Sequence, residues 1–404
     1  MDIFSIHPLM PENTRTLQDL ALTVATRSGE IAGKLHPKTS LAVEDLLRIV
    51  NSYYSNLIEG NSTHPSDIER ATRGDLDTDP ANRELQLESK AHIYCQKKID
   101  ESIEENTPLN VTTPDFLRWI HKTFYDQMPE AMQYVTHSET QERLFVYGGK
   151  FRERSVKVGR HVPPDSSLVP GLLDIFAKEY GGRVHGANKI IAAAAAHHRL
   201  MWVHPFLDGN GRVARLFTDA YFKTIPLPGY GIWNVSRGLA RDRDNYKSML
   251  AVADKTRQGN YDGRGYLSSR HLTEFCEYFL DICVDQINYM SGLLDLDGLL
   301  KRVDSYVNLR NTQIISDPLP QHYQGLKKEA ASIIKEVILQ GELGRGEAAA
   351  CSGLKRAGRD ILKQLVDEKI LISDMPKSPV RFGLPTSMAV WIFPELYPNK
   401  EITK

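Results

Sequence analysis

Apolar residues recur at spacings of three and four along most of this chain, which is the pattern of amphipathic helices. The segment SLAVEDLLRIVNSYYSNLIEG begins at Ser40, a residue type that caps helices, and ends at Gly60. In TPDFLRWIHKTFYDQM, Thr113 is the predicted cap and Pro114 the first helical residue. The run 269–303 is predicted as one long helix. These patterns predict a mainly α-helical protein.

Two further helical segments, NKIIAAAAAHHRLMWV and GRVARLFTDAYFKTI, meet at the short joint HPFLDGN. One segment departs from the helical pattern. KFRERSVKVGRHVPP (150–164) alternates briefly around Gly159 and ends in two prolines, which predicts a small exposed hairpin.

The pattern also divides the chain into units, and a length of 404 residues favours two or three domains. Residues 1–100 are predicted as an N-terminal helical region and 101–307 as a helical core. Helical periodicity lapses over 308–324, which is predicted as a linker. The order helix, short helix, helix and two strand-like pieces over 325–404 predicts a winged helix-turn-helix.

Composition excludes some broad classes of protein. Fifty basic and fifty-one acidic residues give a formal charge of −1, so no overall field attracts nucleic acid or anionic membrane. The four cysteines form no CxxC pair, which favours a reducing compartment without structural disulfides. Neither a signal-like N-terminus nor an aliphatic run of membrane-spanning length is visible. We therefore expect a cytoplasmic protein.

The joint between the two helices concentrates residues that suit phosphate chemistry. Gly209–Gly211 precedes a helix, where free backbone N–H groups and the helix dipole favour an anion. Arg212 and Arg215 share a helical face and can bind further phosphates, while Asp208 can hold Mg²⁺. His204 lies beside this site as a candidate general base. The set predicts transfer of a phosphorus-centred group from a nucleotide.

The stretch HPFLDGNGR, followed by Arg215, resembles the HPFx(D/E)GN(G/K)R signature of Fic (filamentation induced by cAMP) proteins. This resemblance implies a Fic-type helical bundle that transfers AMP from ATP to a protein hydroxyl and releases pyrophosphate. Glycine at position 211, where phosphotransferring relatives carry lysine, favours AMP transfer. The implied roles are base for His204, Mg²⁺ ligand for Asp208, anion cradle for Gly209, Asn210 and Gly211, and phosphate binding for Arg212 and Arg215.

The same resemblance assigns roles outside the motif. In SNLIEGN, Ser55 and Glu59 fit the family's (S/T)xxxE(G/N) inhibitory pattern, in which the glutamate pairs with the second motif arginine. RSVKVGRHVPP resembles the flap that aligns a target segment, which implies that Val158, Gly159 and His161 overhang the nucleotide. The resemblance also implies a homodimer that modifies itself, and removal of AMP by the same site. Tyr246 is a candidate for stacking on adenine, with core packing as the alternative.

Two other function classes remain open from the sequence. His197, His198 and His204 with Asp208 allow a catalytic metal for hydrolysis, although no HExxH spacing is present. A DNA-binding transcriptional regulator is the other alternative, because four basic residues recur along the predicted recognition helix: Lys355, Arg356, Arg359 and Lys363. Neighbouring acidic residues dilute this charge, so a solvated basic face is the favoured interpretation.

Overall fold

Helices form most of the chain, which confirms the mainly α prediction. The structure is a computed structural model that describes residues 1–105, 110–136, 140–312, 314 and 325–397. Within these ranges, no helix has both the length and the apolar character needed to cross a membrane. The α-helices are α1 (Arg15–Ala32), α2 (Pro37–Glu59), α3 (Pro65–Thr72), α4 (Pro80–Glu104), α5 (Pro114–Tyr125), α6 (Val169–Gly182), α7 (Asn188–Val203), α8 (Asn210–Lys223), α9 (Ser236–Arg241), α10 (Arg243–Ala253), α11 (Ser269–Leu293), α12 (Leu296–Asn311), α13 (Ala330–Gln340), α14 (Arg345–Ala350), α15 (Arg356–Asp367) and α16 (Thr386–Ile392).

The strands are short and form two separate antiparallel sheets. β1 (Tyr134–Thr136) pairs with β2 (Arg143–Phe145), a hairpin that the sequence patterns did not indicate. β3 (Glu342–Leu343), β4 (Leu371–Ile372) and β5 (Val380–Phe382) form the second sheet, in the order β3-β5-β4.

Helix α2 begins three residues before the predicted cap. Pro37 stands in its first turn, and His36 is the N-cap, with its Nδ1 accepting a hydrogen bond from the Lys38 N–H over 3.2 Å. The predicted cap at Ser40 is therefore wrong, because a proline with φ already near the helical value starts the helix earlier. The predicted end is confirmed: Gly60 has φ 100°, a left-handed conformation that glycine adopts without a Cβ clash.

The predicted single helix over 269–303 is two helices. α11 ends at Leu293, and α12 begins at Leu296 after the cap residue Asp295, whose carboxylate accepts a hydrogen bond from the Gly298 N–H over 3.0 Å. An aspartate that satisfies a free N–H group favours a new helix start over continuation.

The predicted unit boundaries differ from the helix ends. α4 crosses position 100, and α12 extends to Asn311, so the first four residues of the predicted 308–324 linker are helical. Residues 313 and 315–324 of that linker lie outside the described residues. The C-terminal unit has the predicted helices and strands in the predicted order, with β3 and α16 in addition, and its assignment as a winged helix-turn-helix stays a prediction.

The core centres on α7, which is buried along almost its whole length. Ala192–Ala196 are 0% exposed, and α7 packs against α6, α8 and α11. Small side chains let these helices approach closely, so the C-terminal end of α7 is held firmly. The backbone of His204, the residue after α7, is therefore held in a fixed position.

The C-terminal unit packs against the N-terminal helices. The Thr39 hydroxyl on α2 donates to the Ile338 carbonyl over 2.8 Å, and the Tyr54 hydroxyl donates to the Leu396 carbonyl over 3.2 Å. Arg310 on α12 pairs with Glu368, just after α15, over 2.8 Å. The C-terminal unit and α2 thus share a packed interface.

Candidate active site

The joint between α7 and α8 turns through two left-handed residues. His204 ends α7 with φ 49°, and Gly209 precedes α8 with φ 77°. A Cβ at Gly209 would lie 3.1 Å from the ring of Tyr125, so both the backbone and the space require glycine. The first N–H groups of α8 consequently point out of the joint as an anion site.

The loop of this joint is fixed from both sides. The Asn210 side chain accepts from the Phe206 N–H and donates to the Phe206 carbonyl, each over 2.9 Å. Phe206 is fully buried and stacks on His121 at 4.0 Å, and the His121 Nε2 lies 3.1 Å from the Asp208 carbonyl. The Asn210 side chain thus holds the loop, and only its backbone remains for the predicted anion cradle.

A cavity of about 610 Å³ opens at the joint. It brings together residues from four separate parts of the chain. Its lining includes Glu59 from α2, and Val158, Gly159 and His161 from the segment before α6. The joint and α8 contribute His204, Asp208, Gly209, Asn210, Gly211, Arg212 and Arg215. Tyr246 and Lys247 come from α10, and Asp254 is the residue after it.

His204 is held as a neutral imidazole. Burial lowers its pKa to about 4, although the Met201 carbonyl, 3.3 Å from Nδ1, opposes the shift. A carbonyl only accepts, so Nδ1 carries the proton and Nε2 keeps its lone pair. An imidazole in this form can take a proton from an incoming hydroxyl.

Arg215 is hydrogen-bonded to two residues of α2. Its Nη2 donates to Glu59 Oε1 over 2.6 Å, and its Nε donates to the Ser55 hydroxyl over 2.8 Å. The Arg215 side chain is only 1% exposed. Burial alone would raise the pKa of Glu59, but the charges of Arg215 and Arg212 outweigh it, so the pKa is lowered. Glu59 is therefore a carboxylate at neutral pH, paired with the arginine that the sequence indicates.

Arg212 lies against α5 and α4. Its guanidinium stacks over the Phe124 ring at 5.0 Å, pairs with Glu88, and places Nη2 at 3.3 Å from Asp208 Oδ2. Burial lowers the pKa of Arg212 to about 10, which still leaves it charged at neutral pH. Both motif arginines are thus paired with carboxylates from other helices.

Asp208 receives a hydrogen bond from the Tyr125 hydroxyl over 2.8 Å. Burial raises its pKa, and this hydrogen bond opposes the shift. The described residues contain no group of three or more histidine, cysteine or acidic side chains able to hold a metal. Mg²⁺ commonly binds one or two carboxylates together with substrate phosphates and water. A single aspartate beside an anion site fits that ion.

The segment predicted as a hairpin is a shorter feature. Within 150–164 no extended strand pair forms, and a tight turn is closed by Val158 and His161, which exchange two backbone hydrogen bonds of 3.0 Å. The His161 side chain holds this turn in place. Its Nδ1 lies 3.2 Å from Asp254, and its Nε2 lies 2.9 Å from the Trp202 carbonyl. The small hairpin predicted from the sequence is thus present as this turn with one bridged residue pair.

The histidines proposed for a hydrolytic metal do not converge. His197 is fully buried, with Nδ1 at 2.8 Å from the Thr218 hydroxyl and Nε2 at 2.7 Å from the Tyr246 hydroxyl. Because both ring nitrogens are used within the core, His197 has no free nitrogen for a metal shared with His204. Tyr246 is 1% exposed and contributes to the cavity wall.

Three residues of the site escaped sequence reasoning: Glu88, Tyr125 and Asp254. Each lies on a different helix from the motif or just after one, and only the packing brings them together. A signal for Glu88 exists in α4, where Glu88, His92 and Gln96 recur every four residues and are all buried. Buried polar side chains in a row of this kind indicate polar or charged partners on a neighbouring helix.

Comparison with known proteins agrees with this geometry. Residues 111–222 match the model of the Fic/DOC family, a range that contains the joint and all of α8 except its last residue. The chain carries a Fic/DOC domain. Glu59 and Glu88, which pair with the two arginines of this Fic/DOC domain, lie outside the matched range.

Similar proteins share parts of the sequence. An 87-residue segment is 43% identical to protein adenylyltransferase Fic of Drosophila willistoni, covering 20% of this chain and 17% of that protein. A 114-residue segment is 41% identical to the protein of the same name from Drosophila yakuba, covering 27% and 21%. The matches thus span about a fifth of the length of these curated relatives.

Solved structures share the fold at low sequence identity. A Fic family protein from Desulfovibrio desulfuricans G20 is 18% identical with a TM-score of 0.51, covering 91% of this chain and 96% of that one. Fic-1 from C. elegans is 16% identical with a TM-score of 0.50, covering 68% and 72%. The arrangement of helices around the Fic/DOC domain therefore recurs in other proteins.

Proposed function

We propose that this protein is an adenylyltransferase that moves AMP from ATP to a hydroxyl side chain of a protein. One observation carries the proposal: His204 lines the same cavity as the N-terminus of α8, Arg212 and Arg215. A base, an anion cradle and two cations are the groups that phosphoryl-centre substitution needs.

The reaction follows from these positions. The triphosphate binds the first N–H groups of α8 and the two arginines, which neutralise its charge. The target hydroxyl oxygen attacks the α-phosphorus, while His204 Nε2 takes the hydroxyl proton. The bond from the α-phosphorus to the bridging oxygen breaks, and pyrophosphate leaves. The product carries AMP on the former hydroxyl oxygen.

Asp208 is the residue that would hold Mg²⁺. When bound, Mg²⁺ neutralises phosphate charge and lowers the barrier to pyrophosphate departure. The Tyr125 hydroxyl keeps Asp208 in place by donating to its carboxylate. The turn closed by Val158 and His161 would overhang the nucleotide, with Gly159 at its tip and Tyr246 in the cavity wall near the base.

In this proposal α2 holds the enzyme in a resting state. Glu59 and Ser55 occupy three hydrogen-bonding directions of Arg215, so the nucleotide must displace Glu59 to reach that guanidinium. A charge-assisted hydrogen bond contributes about 1.5 kcal/mol, which corresponds to roughly a tenfold effect on nucleotide binding.

The test is labelling of a cell lysate with ATP and the Glu59→Gly variant, analysed by mass spectrometry. We expect adenylate adducts on hydroxyl side chains that are absent with Glu59→Gly/His204→Ala. Glu59→Gln, which keeps the shape but removes the charge, should give an intermediate yield. Equal adducts with and without His204, or no adducts with Glu59→Gly, would contradict the proposal.

The partner and assembly are parts of the same proposal. The acceptor is a serine, threonine or tyrosine of a target protein or of the chain itself, and the protein acts as a homodimer in the cytoplasm. Self-labelling in the same experiment and the mass in solution by light scattering test these two points.

A further inference from the structure

Glu88 approaches Arg212 from a side that the cavity does not reach. It lies on α4, is 5% exposed, and pairs with Nη1 of Arg212. Glu59, by contrast, is part of the cavity lining, whereas Glu88 is not among the residues of the described chain that line it. A nucleotide in the cavity would therefore meet Glu59 but would not need to displace Glu88.

The pairing leaves part of Arg212 available. Its Nη2 makes only the 3.3 Å contact with Asp208 among the described residues, whereas its Nε is buried there without a hydrogen-bond partner. The Phe124 ring lies under the guanidinium at 5.0 Å. Glu88 and Phe124 together set the position and plane of the guanidinium, while Nη2 remains as a donor for a phosphate oxygen.

Glu88 also contacts the chain just after α2, the helix that carries Glu59. Its Oε2 accepts a hydrogen bond from the Asn61 side chain over 2.7 Å, and Asn61 lies two residues after Glu59. Both carboxylate oxygens thus have partners, which satisfies a buried charge and keeps Glu88 in one orientation.

We propose that Glu88 is a positioning residue for AMP transfer, which holds Arg212 beside the triphosphate site and limits its pairing with Asp208 to one contact of 3.3 Å. The inference rests on the proposed function. An arginine side chain loses rotamer freedom when it is fixed, and a buried carboxylate partner supplies that order before the nucleotide arrives. Without Glu88, Arg212 would be free to tighten its 3.3 Å contact with Asp208, the residue that is to bind Mg²⁺.

The consequence is specific to nucleotide and metal. Loss of the Glu88 charge should weaken binding of MgATP and raise the Mg²⁺ concentration needed, because Arg212 and Mg²⁺ then compete for Asp208. Proton transfer to His204 should be little affected, since Glu88 does not contact the base. A purely structural role would instead lower stability and scale all activity equally.

The experiment is done in the full chain with Glu59→Gly as the parent. Glu88→Gln is introduced into this parent, and the two proteins are compared. Calorimetry with MgATP and self-labelling from ATP give the Kd, KM and kcat, each over a series of Mg²⁺ concentrations. We expect the KM for MgATP to rise about tenfold, with a higher Mg²⁺ requirement and a kcat within about threefold of the parent at saturation. Glu88→Asp keeps the carboxylate and should lie closer to the parent. Glu84→Gln, an exposed residue one turn before Glu88 on the same helix, should match the parent.

The outcomes separate the two proposals. Tighter MgATP binding by Glu88→Gln would identify Glu88 as a second inhibitory carboxylate and overturn the positioning role. An unchanged KM and Mg²⁺ requirement, or an equal loss in kcat with a lowered melting temperature, would also overturn it while the parent remains active. A parent that neither binds MgATP nor labels itself would overturn both the proposed function and this inference.

Discussion

The carboxylate of Glu59 occupies the space that a side chain at Gly211 would fill, because a Cβ built there collides with Glu59 Oε1. The same oxygen accepts the hydrogen bond from Arg215. Glu59 therefore lies over the first turn of α8 and engages the arginine of that helix at once. A phosphate at this helix start would compete with Glu59 for both the space and the cation.

Ser55→Ala should partly relieve this resting state. The Ser55 hydroxyl is fully buried and accepts the Arg215 Nε–H over 2.8 Å, so its loss removes one of the bonds that hold Arg215 against α2. A net contribution of about 1 kcal/mol predicts roughly fivefold more label transfer from ATP, less than Glu59→Gly gives.

The control for Ser55→Ala is Ser52→Ala, a buried serine on the same helix whose hydroxyl donates to the Ser89 carbonyl over 2.9 Å. Ser52 does not bond Arg215, so its substitution should leave transfer close to the wild-type level. If Ser55→Ala lowers transfer or behaves like Ser52→Ala, the Ser55 bond does not contribute to inhibition.

Tyr125→Phe should shift the acid limb of the pH–rate profile to higher pH. Burial raises the pKa of Asp208, and the hydrogen bond from Tyr125 opposes that shift, so removal of the hydroxyl raises the pKa further. Asp208 must be ionised to bind Mg²⁺, and activity is thus lost at a higher pH as the solution is acidified. His204, with its pKa lowered to about 4, stays neutral through this range.

The profile is measured as label transfer in the Glu59→Gly background between about pH 5 and 8.5. The two enzymes should converge at the alkaline end, where Asp208 is ionised in both. Tyr261→Phe is the control, since the Tyr261 side chain is fully exposed. Superimposable acid limbs for Tyr125→Phe and the parent would show that the hydrogen bond does not tune the site.

The joint and its chemistry were accessible from the sequence because the signals are local. His204 closes one helix, Gly209 precedes the next, and Arg212 and Arg215 share a face by helical spacing alone. The C-terminal end of α2 and the start of α5 depend on equally local signals. Gly60 ends α2 in a left-handed conformation, and the Thr113 hydroxyl accepts a hydrogen bond from a free N–H group at the start of α5.

The remainder depends on tertiary packing. Nothing in the spacing of α4 states that Glu88 meets Arg212, or that Tyr125 from α5 reaches Asp208, because each contact joins residues more than eighty positions apart. The extent of strand pairing beside the turn at Val158 and His161 depends on packing for a related reason. Short alternation indicates an extended chain, but whether a partner strand lies beside it is decided elsewhere in the fold.

Asp254→Asn should lower the pKa of His161 and loosen the turn that is closed by Val158 and His161. Burial alone lowers the pKa of this imidazole, but the hydrogen bond and charge of Asp254 outweigh it and raise the pKa in the native protein. The pKa of His161, followed by NMR and assigned with His161→Gln, should lie above about 6.5 in the wild type and below it in Asp254→Asn.

The sign of the linkage gives a second readout. Because the folded pKa is raised, the His161–Asp254 pair stabilises the fold fully below the unfolded pKa of about 6.5, and this contribution is lost as the pH rises through the folded pKa. The melting-temperature difference between wild type and His161→Gln should therefore be larger at pH 5.5 than at pH 8.5. A difference that grows with pH would contradict the assignment.

Glu368→Gln should destabilise the contact between α12 and the C-terminal unit. Arg310 is 2% exposed, and its guanidinium makes two parallel bonds to Glu368, of 2.8 and 3.0 Å. Removing the charge of one partner of a buried ion pair typically costs ~3–5 kcal/mol. Unfolding in urea, followed by fluorescence and circular dichroism, should show an earlier transition.

The comparison pair is Asp304 with Lys335, which joins α12 to α13 over 2.8 Å and whose side chains are 51% and 31% exposed. Asp304→Asn should change stability by no more than ~1 kcal/mol, because exposed ion pairs are screened by water and salt. Both substitutions remove one negative charge from the same interface, so a difference between them isolates burial. Equal effects of the two would mean that Arg310 finds sufficient solvation without Glu368, and that the buried pair contributes little to holding the C-terminal unit in place.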